Sequence, residues 1–351
     1  MDTPRYSFVI PVCNEAEVLV ALRGRLANLL DRLDGTSEVL LVDDGSTDDS
    51  YQLMLRINAE DDRFKAVHLS RNFGHQIAIT AGMDLARGDA VVIMDADLQD
   101  PPEVVLEMVE RWRDGYEVVY GIRTDRTSDS VFKRLSAQLF YRTLRRLTSV
   151  DIPLDVGDFR LVDRRALEAF LAMREGGRFV RGMYAWIGFK QIGVPYRREE
   201  RYAGSTKYPL RKMLALAADG VLGFSHVPLR LALKTGFGFA ALSLLAGFAA
   251  VLIKITGLFT VPGWTSIVFV VCLIGGVQLG VMGLIGEYLG RTYEESIGRP
   301  LYIVSDLIGM PVPANVRRSV ILQGSGEIHE LMHSTAAHPG NSDLPQRVPA
   351  A

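Results

Sequence analysis

The chain has 351 residues, 48 % of them apolar, which is ample for two domains or for one large domain with an appendage. A formal charge of −2 leaves nucleic acid without electrostatic support as a partner. The two cysteines, Cys13 and Cys272, form no disulfide framework, and no secretory signal is read at the start, so the soluble part is expected in the cytoplasm.

Tyr6 to Val12 reads as a first strand, and apolar residues at helical spacing from Val18 to Leu30 predict a helix over Glu15 to Leu33. Alternation then continues: strand Val39 to Val42, helix Ser50 to Ala59, strand Lys65 to Leu69, helix His75 to Ala86, strand Gly88 to Met94. Strands alternating with helices predict an α/β domain with a mostly parallel sheet covered on both faces, whose ligands bind at the carboxyl ends of the strands. Three polar clusters each follow a strand: Asn14 with Glu15, Asp43 with Asp44, and Asp95 with Asp97. All three are therefore expected on one edge. No Gly-x-Gly-x-x-Gly follows the first strand and no Gly-Lys-Ser/Thr occurs, which weakens dinucleotide and P-loop readings.

The densest chemistry lies in Val91 to Glu103, VVIMDADLQDPPE. An extended chain carried through Leu98 would put Asp95, Asp97 and Gln99 on one face, with Ala96 and Leu98 on the other. Hard cations such as Mg²⁺ or Mn²⁺ take oxygen ligands, commonly one or two carboxylates plus the phosphates of a substrate. Carboxylates at the other strand ends can meet a base or a ribose. A sugar-nucleotide site fits this set, whereas turn chemistry and helix capping account equally for Ser46 and Asp48.

Five ordered motifs carry a family resemblance: PVCNE at 11 to 15, VDDGSTD at 42 to 48, SRNFGHQ at 70 to 76, AGMDLARGD at 81 to 89 and MDADLQDPPE at 94 to 103. From about Tyr6 to Ile303 the chain resembles the family 2 glycosyltransferases of GT-A fold. Within them it is similar to polyprenyl-phosphate glycosyltransferases, the bactoprenol glucosyltransferases and dolichyl-phosphate mannose synthases. The resemblance implies that Pro11, Asn14, Glu15, Asp44 and Asp95 line the nucleotide. It also implies that Asp95, Asp97 and Gln99 hold Mg²⁺ or Mn²⁺, and that Arg71, Asn72 and Gln76 either hold the loop beside the donor or contact the donor directly. Cys13 stands where the family more often has an aromatic.

Val118 to Gly121 reads as a fifth strand and Asp129 to Leu147 as an amphipathic helix with a basic side. That helix suits a membrane surface or a core position with a solvated basic face. DVGDFRL at 155 to 161 resembles the family's acceptor-side segment, which implies Asp158 near the anomeric carbon, with Asp97 beside it among the catalytic acids. The usual role there is general base. A phosphate monoester has a second pKa of about 6 and needs little deprotonation, so orienting the acceptor or stabilising oxocarbenium character is the other reading. Counter-charge for the acceptor phosphate is expected from Arg123, Arg134, Arg201, Ser205 and Lys207.

Domain boundaries follow: a GT-A domain over 1–204, an interfacial amphipathic segment over 205–230, and two transmembrane helices over 231–290, at about 235–255 and 264–286. A cytoplasmic segment over 291–322 and a disordered tail over 323–351 complete the chain. Lys and Arg flank the hairpin on its outer sides, which predicts a multi-pass inner-membrane protein with catalytic domain and both termini cytoplasmic. Glycines from Gly275 to Gly286 fit either a homo-oligomer or packing within the hairpin. The tail holds a formal HExxH, His329 to His333, in a context that no zinc protease uses.

The expected reaction is inverting, metal-dependent transfer of a sugar, UDP-glucose first among donors, to undecaprenyl or another polyprenyl phosphate at the cytoplasmic leaflet. GDP-mannose or a modified UDP-sugar is the alternative donor. A silent sugar-nucleotide-binding adaptor is the alternative class. A processive synthase usually carries Gln-x-x-Arg-Trp, and Arg111-Trp112 here lacks the Gln.

Overall fold

The computed structural model describes residues 3–124, 156–176, 178, 180–199, 227–256 and 263–311. The expected helix over 129–147, the segment 205–226, the tail over 323–351, and Arg134, Arg201, Ser205 and Lys207 lie outside the described residues. Packing divides the chain into two units, Met1–Leu98 with Tyr302–Ala351, and Gln99–Leu301.

The first unit is built on β1 (Tyr6–Val12), β2 (Ser37–Asp43), β3 (Phe64–Leu69) and β4 (Ala90–Ile93), in the order β4-β1-β2-β3 and all parallel. Nearly every residue of these strands is buried, which is why they read as continuous apolar runs. Helices α1 (Ala16–Leu30), α2 (Ser50–Glu60) and α3 (His75–Leu85) supply the crossovers, each burying an apolar stripe. The parallel order brings the segments after β1, β2 and β4 to one edge, as the alternation predicts. Pro11 sits inside central β1, where a missing N–H is normally costly. Val9 O accepts from Met94 N, so residues 9 and 11 face β4, yet pairing with β4 ends at Val9↔Ile93. The absent donor falls where no partner strand remains.

A fifth strand, β8 (Val304–Ile308), pairs antiparallel with β3, with Ala66 opposite Ile308. Tyr302 donates to Asp84 Oδ2 at 2.8 Å and Tyr51 to Asp306 Oδ2 at 3.4 Å, fastening the returning chain.

The second unit holds β5 (Val118–Arg123), β6 (Val156–Asp163) and β7 (Gln191–Tyr196), with β5 antiparallel to β6 and parallel to β7. Helices α4 (Val104–Arg113), α5 (Arg164–Ala172) and α6 (Val180–Trp186) accompany them. Arg111 and Trp112 belong to α4, where Trp112 Nε1 donates to Asp163 Oδ2 at 2.8 Å. Two long helices follow, α7 (Val227–Ile255) and α8 (Trp264–Ile297). Leu273–Ile297 is the one segment among the described residues long and apolar enough to cross a membrane. α8 runs past the expected end near 286 as a polar helix, in which Glu287 and Arg291 pair at 3.1 Å one turn apart.

Candidate active site

In the first unit the site begins where β1 and β2 end. Asn14 takes φ +57, and its Oδ1 accepts from Thr47 N at 2.8 Å and Asp48 N at 3.3 Å. Its own N–H donates to Ser46 Oγ at 2.9 Å, and Glu15 N donates to Ser50 Oγ at 2.9 Å. The PVCNE and DDGSTD segments are thus latched, and the half-buried Glu15 is carried at the latch. Pro11 precedes it, buried in β1.

Asp44 is 3 % exposed. Its two carboxylate oxygens accept from Phe73 N at 2.7 Å and Gly74 N at 2.9 Å. Burial pushes its pKa up, and these two hydrogen bonds oppose the rise. Asn72 Nδ2 donates to Asp44 O at 3.1 Å and Arg71 lies 4.1 Å over the Phe73 ring, so the 71–74 segment is held to the end of β2. At the first residue of α3, His75 brings Nε2 to 3.4 Å from Asp95 Oδ1. The SRNFGHQ motif points to Arg71, Asn72 and Gln76 in that segment. The neighbouring imidazole was legible only as a polar residue at a helix start.

The acidic segment departs from its expected geometry. β4 stops at Ile93, a turn begins at Ala96, and Leu98 takes φ +57, a conformation that costs a leucine about 1–2 kcal/mol. The two-residue alternation that was to align Asp95, Asp97 and Gln99 therefore does not apply, because the chain is no longer extended there. Asp97 is buried and Asp95 half-buried, while Ala96 and Leu98 are buried as expected of the apolar pair. No group of three or more His, Cys, Asp or Glu gathers as a metal cage among the described residues. Asp95, Asp97 and Gln99 place two carboxylates and an amide within five residues, the kind of oxygen donor that a hard divalent cation takes beside phosphate.

In the second unit β6 runs antiparallel to β5, so its first residues lie beside the last of β5. Arg123 Nε donates to Tyr196 Oη at 3.2 Å, and Tyr196 in turn donates to Asp100 Oδ1 at 2.5 Å. Asp100, 1 % exposed, also stands 3.7 Å from Arg123 Nη2. Burial and then the Asp100 charge push the Tyr196 pKa well up, so its proton stays on the phenol. A Cβ on Gly157 would meet Arg123 Nη2 at 2.7 Å, so the missing side chain leaves the guanidinium its place. Gln99 is half-buried, with its carbonyl accepting from Glu199 N at 2.9 Å. Asp158 is 7 % exposed, with Oδ1 3.3 Å from Arg181 Nε.

The model of the family described as "Glycosyl transferase family 2" matches residues 7–171. A Bacillus subtilis (strain 168) protein named "Uncharacterized glycosyltransferase YkcC" is 47 % identical over 306 residues, 87 % of this chain and 95 % of its own length. The chain is a family 2 glycosyltransferase. This glycosyltransferase is also 35 % identical over 300 residues, 86 % of the chain, to the "Prophage bactoprenol glucosyl transferase homolog" of Escherichia coli (strain K12), covering 98 % of that protein. Among solved structures, glucosyl-3-phosphoglycerate synthase from Mycobacterium tuberculosis with Mn²⁺ and UDP-glucose aligns with a TM-score of 0.43 at 20 % identity, over 62 % of this chain and 77 % of that one.

Proposed function

We propose that this glycosyltransferase moves a hexose, glucose from UDP-glucose in the first place, onto a polyprenyl phosphate such as undecaprenyl phosphate with inversion. The observation that carries the reading is near full-length similarity to proteins named bactoprenol glucosyl transferase, at 34–35 % identity. In the reaction an acceptor phosphate oxygen bonds to the anomeric carbon on the face opposite the leaving group. The old C–O bond breaks and its electron pair departs with UDP. A dianionic acceptor carries no proton to remove, so the site's task is alignment and charge balance.

Asp95 and Asp97, with Gln99, fit Mg²⁺ or Mn²⁺ as an oxygen donor set. The ion would supply counter-charge for the departing diphosphate. Pro11, Asn14, Glu15 and Asp44 shape the nucleotide end through the latched loops. Arg123, set by Tyr196 and Asp100, faces the acceptor phosphate, joined by Arg134, Arg201, Ser205 and Lys207. Asp158 acts at the anomeric carbon.

α7 and α8 form a hairpin through the inner membrane, with the catalytic units and both termini in the cytoplasm. In support, α7 exposes Phe237, Leu245 and Phe248, and α8 exposes Leu279, Met282 and Leu289, each by more than 60 %. Such surfaces suit lipid rather than water. Small residues along α8 also suit contact with a second copy.

The test is transfer of radiolabelled sugar from UDP-glucose, UDP-N-acetylglucosamine, UDP-galactose and GDP-mannose to undecaprenyl phosphate in detergent, with Mg²⁺, Mn²⁺ or chelator. Chelator-sensitive label in lipid from UDP-glucose is the expected result. Label from another donor replaces the sugar, and nucleotide binding without any lipid product turns the reading to an adaptor.

A further inference from the structure

We propose that Arg181, on α6, is the positioning residue for Asp158, holding its carboxylate ionised and fixed so that it acts as an oriented anion. The inference rests on the role given to Asp158 above. Arg181 Nε lies 3.3 Å from Asp158 Oδ1, and the arginine is half-buried. Its helix is anchored on several sides. Val180, Met183 and Tyr184 are buried, the Tyr184 ring stacks on Phe170 of α5 with centroids 4.4 Å apart, and Gln191 Nε2 donates to Tyr184 O at 2.6 Å.

The strand side is equally fixed. Arg160, 3 % exposed, donates from Nη2 to Gly157 O at 2.9 Å and from Nε to Asp158 O at 3.3 Å. Its guanidinium carbon sits 4.4 Å over the Tyr184 ring, so one buried cation ties the Asp158 backbone to the helix that carries Arg181. Carboxylate and guanidinium are thereby presented to each other from two rigid elements, as a preorganised electrostatic site requires.

Chemistry supplies the reason. A carboxylate beside an acceptor phosphate dianion and a departing diphosphate is surrounded by like charge, which favours its protonation. Arginine stays charged at every working pH and opposes that. A guanidinium-paired carboxylate is a weak base but a stable anion, suited to a centre that gains positive character.

The experiment compares Arg181→Met, Arg181→Lys, Asp158→Asn and the Asp158→Asn/Arg181→Met double variant of the full chain in detergent. The expected result is a kcat for lipid-phosphate glycosylation about 10²-fold lower in Arg181→Met, with KM for undecaprenyl phosphate within about threefold of wild type. Arg181→Lys should recover part of that loss, and the double variant should be no slower than Asp158→Asn. A raised KM with kcat unchanged would make Arg181 a ligand of the acceptor, and additive losses would separate it from Asp158; either overturns the proposal. The same four proteins are read in hydrolysis of UDP-glucose without lipid. Should wild type glycosylate no lipid, the proposed reaction fails, while coupling or additivity in hydrolysis still decides the Arg181–Asp158 relation. Arg181→Lys and melting temperatures separate misfolding from lost positioning.

Discussion

Gly45 shows how a single residue holds the proposed nucleotide end together. It takes φ +66, and a Cβ there would stand 2.6 Å from both Arg71 C and Asn72 N. Those are backbone atoms of the segment that Asp44 anchors, so they cannot swing aside as a flexible side chain would. Gly45→Ala is expected to cost about 2–3 kcal/mol of stability and to weaken UDP binding about tenfold, through displacement of the 71–74 segment. Calorimetric melting and UDP titration check both numbers, and an unchanged UDP affinity would dissociate that segment from the nucleotide. At this scale the sequence was legible by residue type more than by role. Asn14 and Asp44 are read from their motifs as ligand residues, yet their oxygens accept backbone N–H groups from loops 33 and 29 residues away. The Asp158–Arg181 pair was not legible at all, because 23 residues separate its members and no local pattern links a strand start to a short helix.

At the scale of elements, the four parallel strands follow from hydrophobic period and punctuation, and they were predicted to within two or three residues at each end. They are stapled at their amino ends, away from the site, by a buried network. Glu38, 2 % exposed, accepts from Ser7 Oγ at 2.7 Å, Arg87 N at 2.9 Å, Arg87 Nη2 at 3.1 Å and Lys65 Nζ. Burial pushes the Glu38 carboxyl up, but the hydrogen bonds from Lys65, Ser7 and Arg87 outweigh it, and the net direction is below the ordinary value of 4.5. A lowered folded pKa gives stability that is complete above the unfolded value and lost as pH falls through the folded one. Glu38→Gln should therefore cost about 3 kcal/mol near neutral pH, with the gap from wild type closing below about pH 4.5. Melting temperatures from pH 3 to 8 test this; a gap constant with pH would remove Glu38 ionisation from the account. β8 was not foreseen, since its five residues gain meaning only beside β3, with Ile308 facing Ala66. Ending the chain after Arg299 would bare the β3 edge and remove the buried Tyr302 and Val304. Lower melting and edge-driven aggregation are expected, read by light scattering.

For the whole molecule, the same strand constrains the path through a membrane. β3 precedes α7 in the chain and β8 follows α8, yet the two strands are hydrogen-bonded neighbours in one sheet. β3 and β8 are therefore on one side of any bilayer, and the number of crossings between them is even. If α8 crosses, through Leu273–Ile297, an even count needs a second crossing, and α7 is the other described helix long enough to supply it. A helix of 29 residues spans about 43 Å and one of 34 about 51 Å, both beyond the ~30 Å hydrocarbon core, so each has the length. Single cysteines placed at Thr256, at the far end of α7, and at Ser305, in β8, should then differ in intact cells treated with a membrane-impermeant maleimide. Label at position 256 with protection at 305, reversed in inverted vesicles, is the outcome the strand pairing requires. Label at both positions in intact cells would place the sheet outside, where no nucleotide sugar is made, and would overturn the cytoplasmic assignment. Protection of both would mean that neither helix crosses and that the apolar faces are covered by another protein.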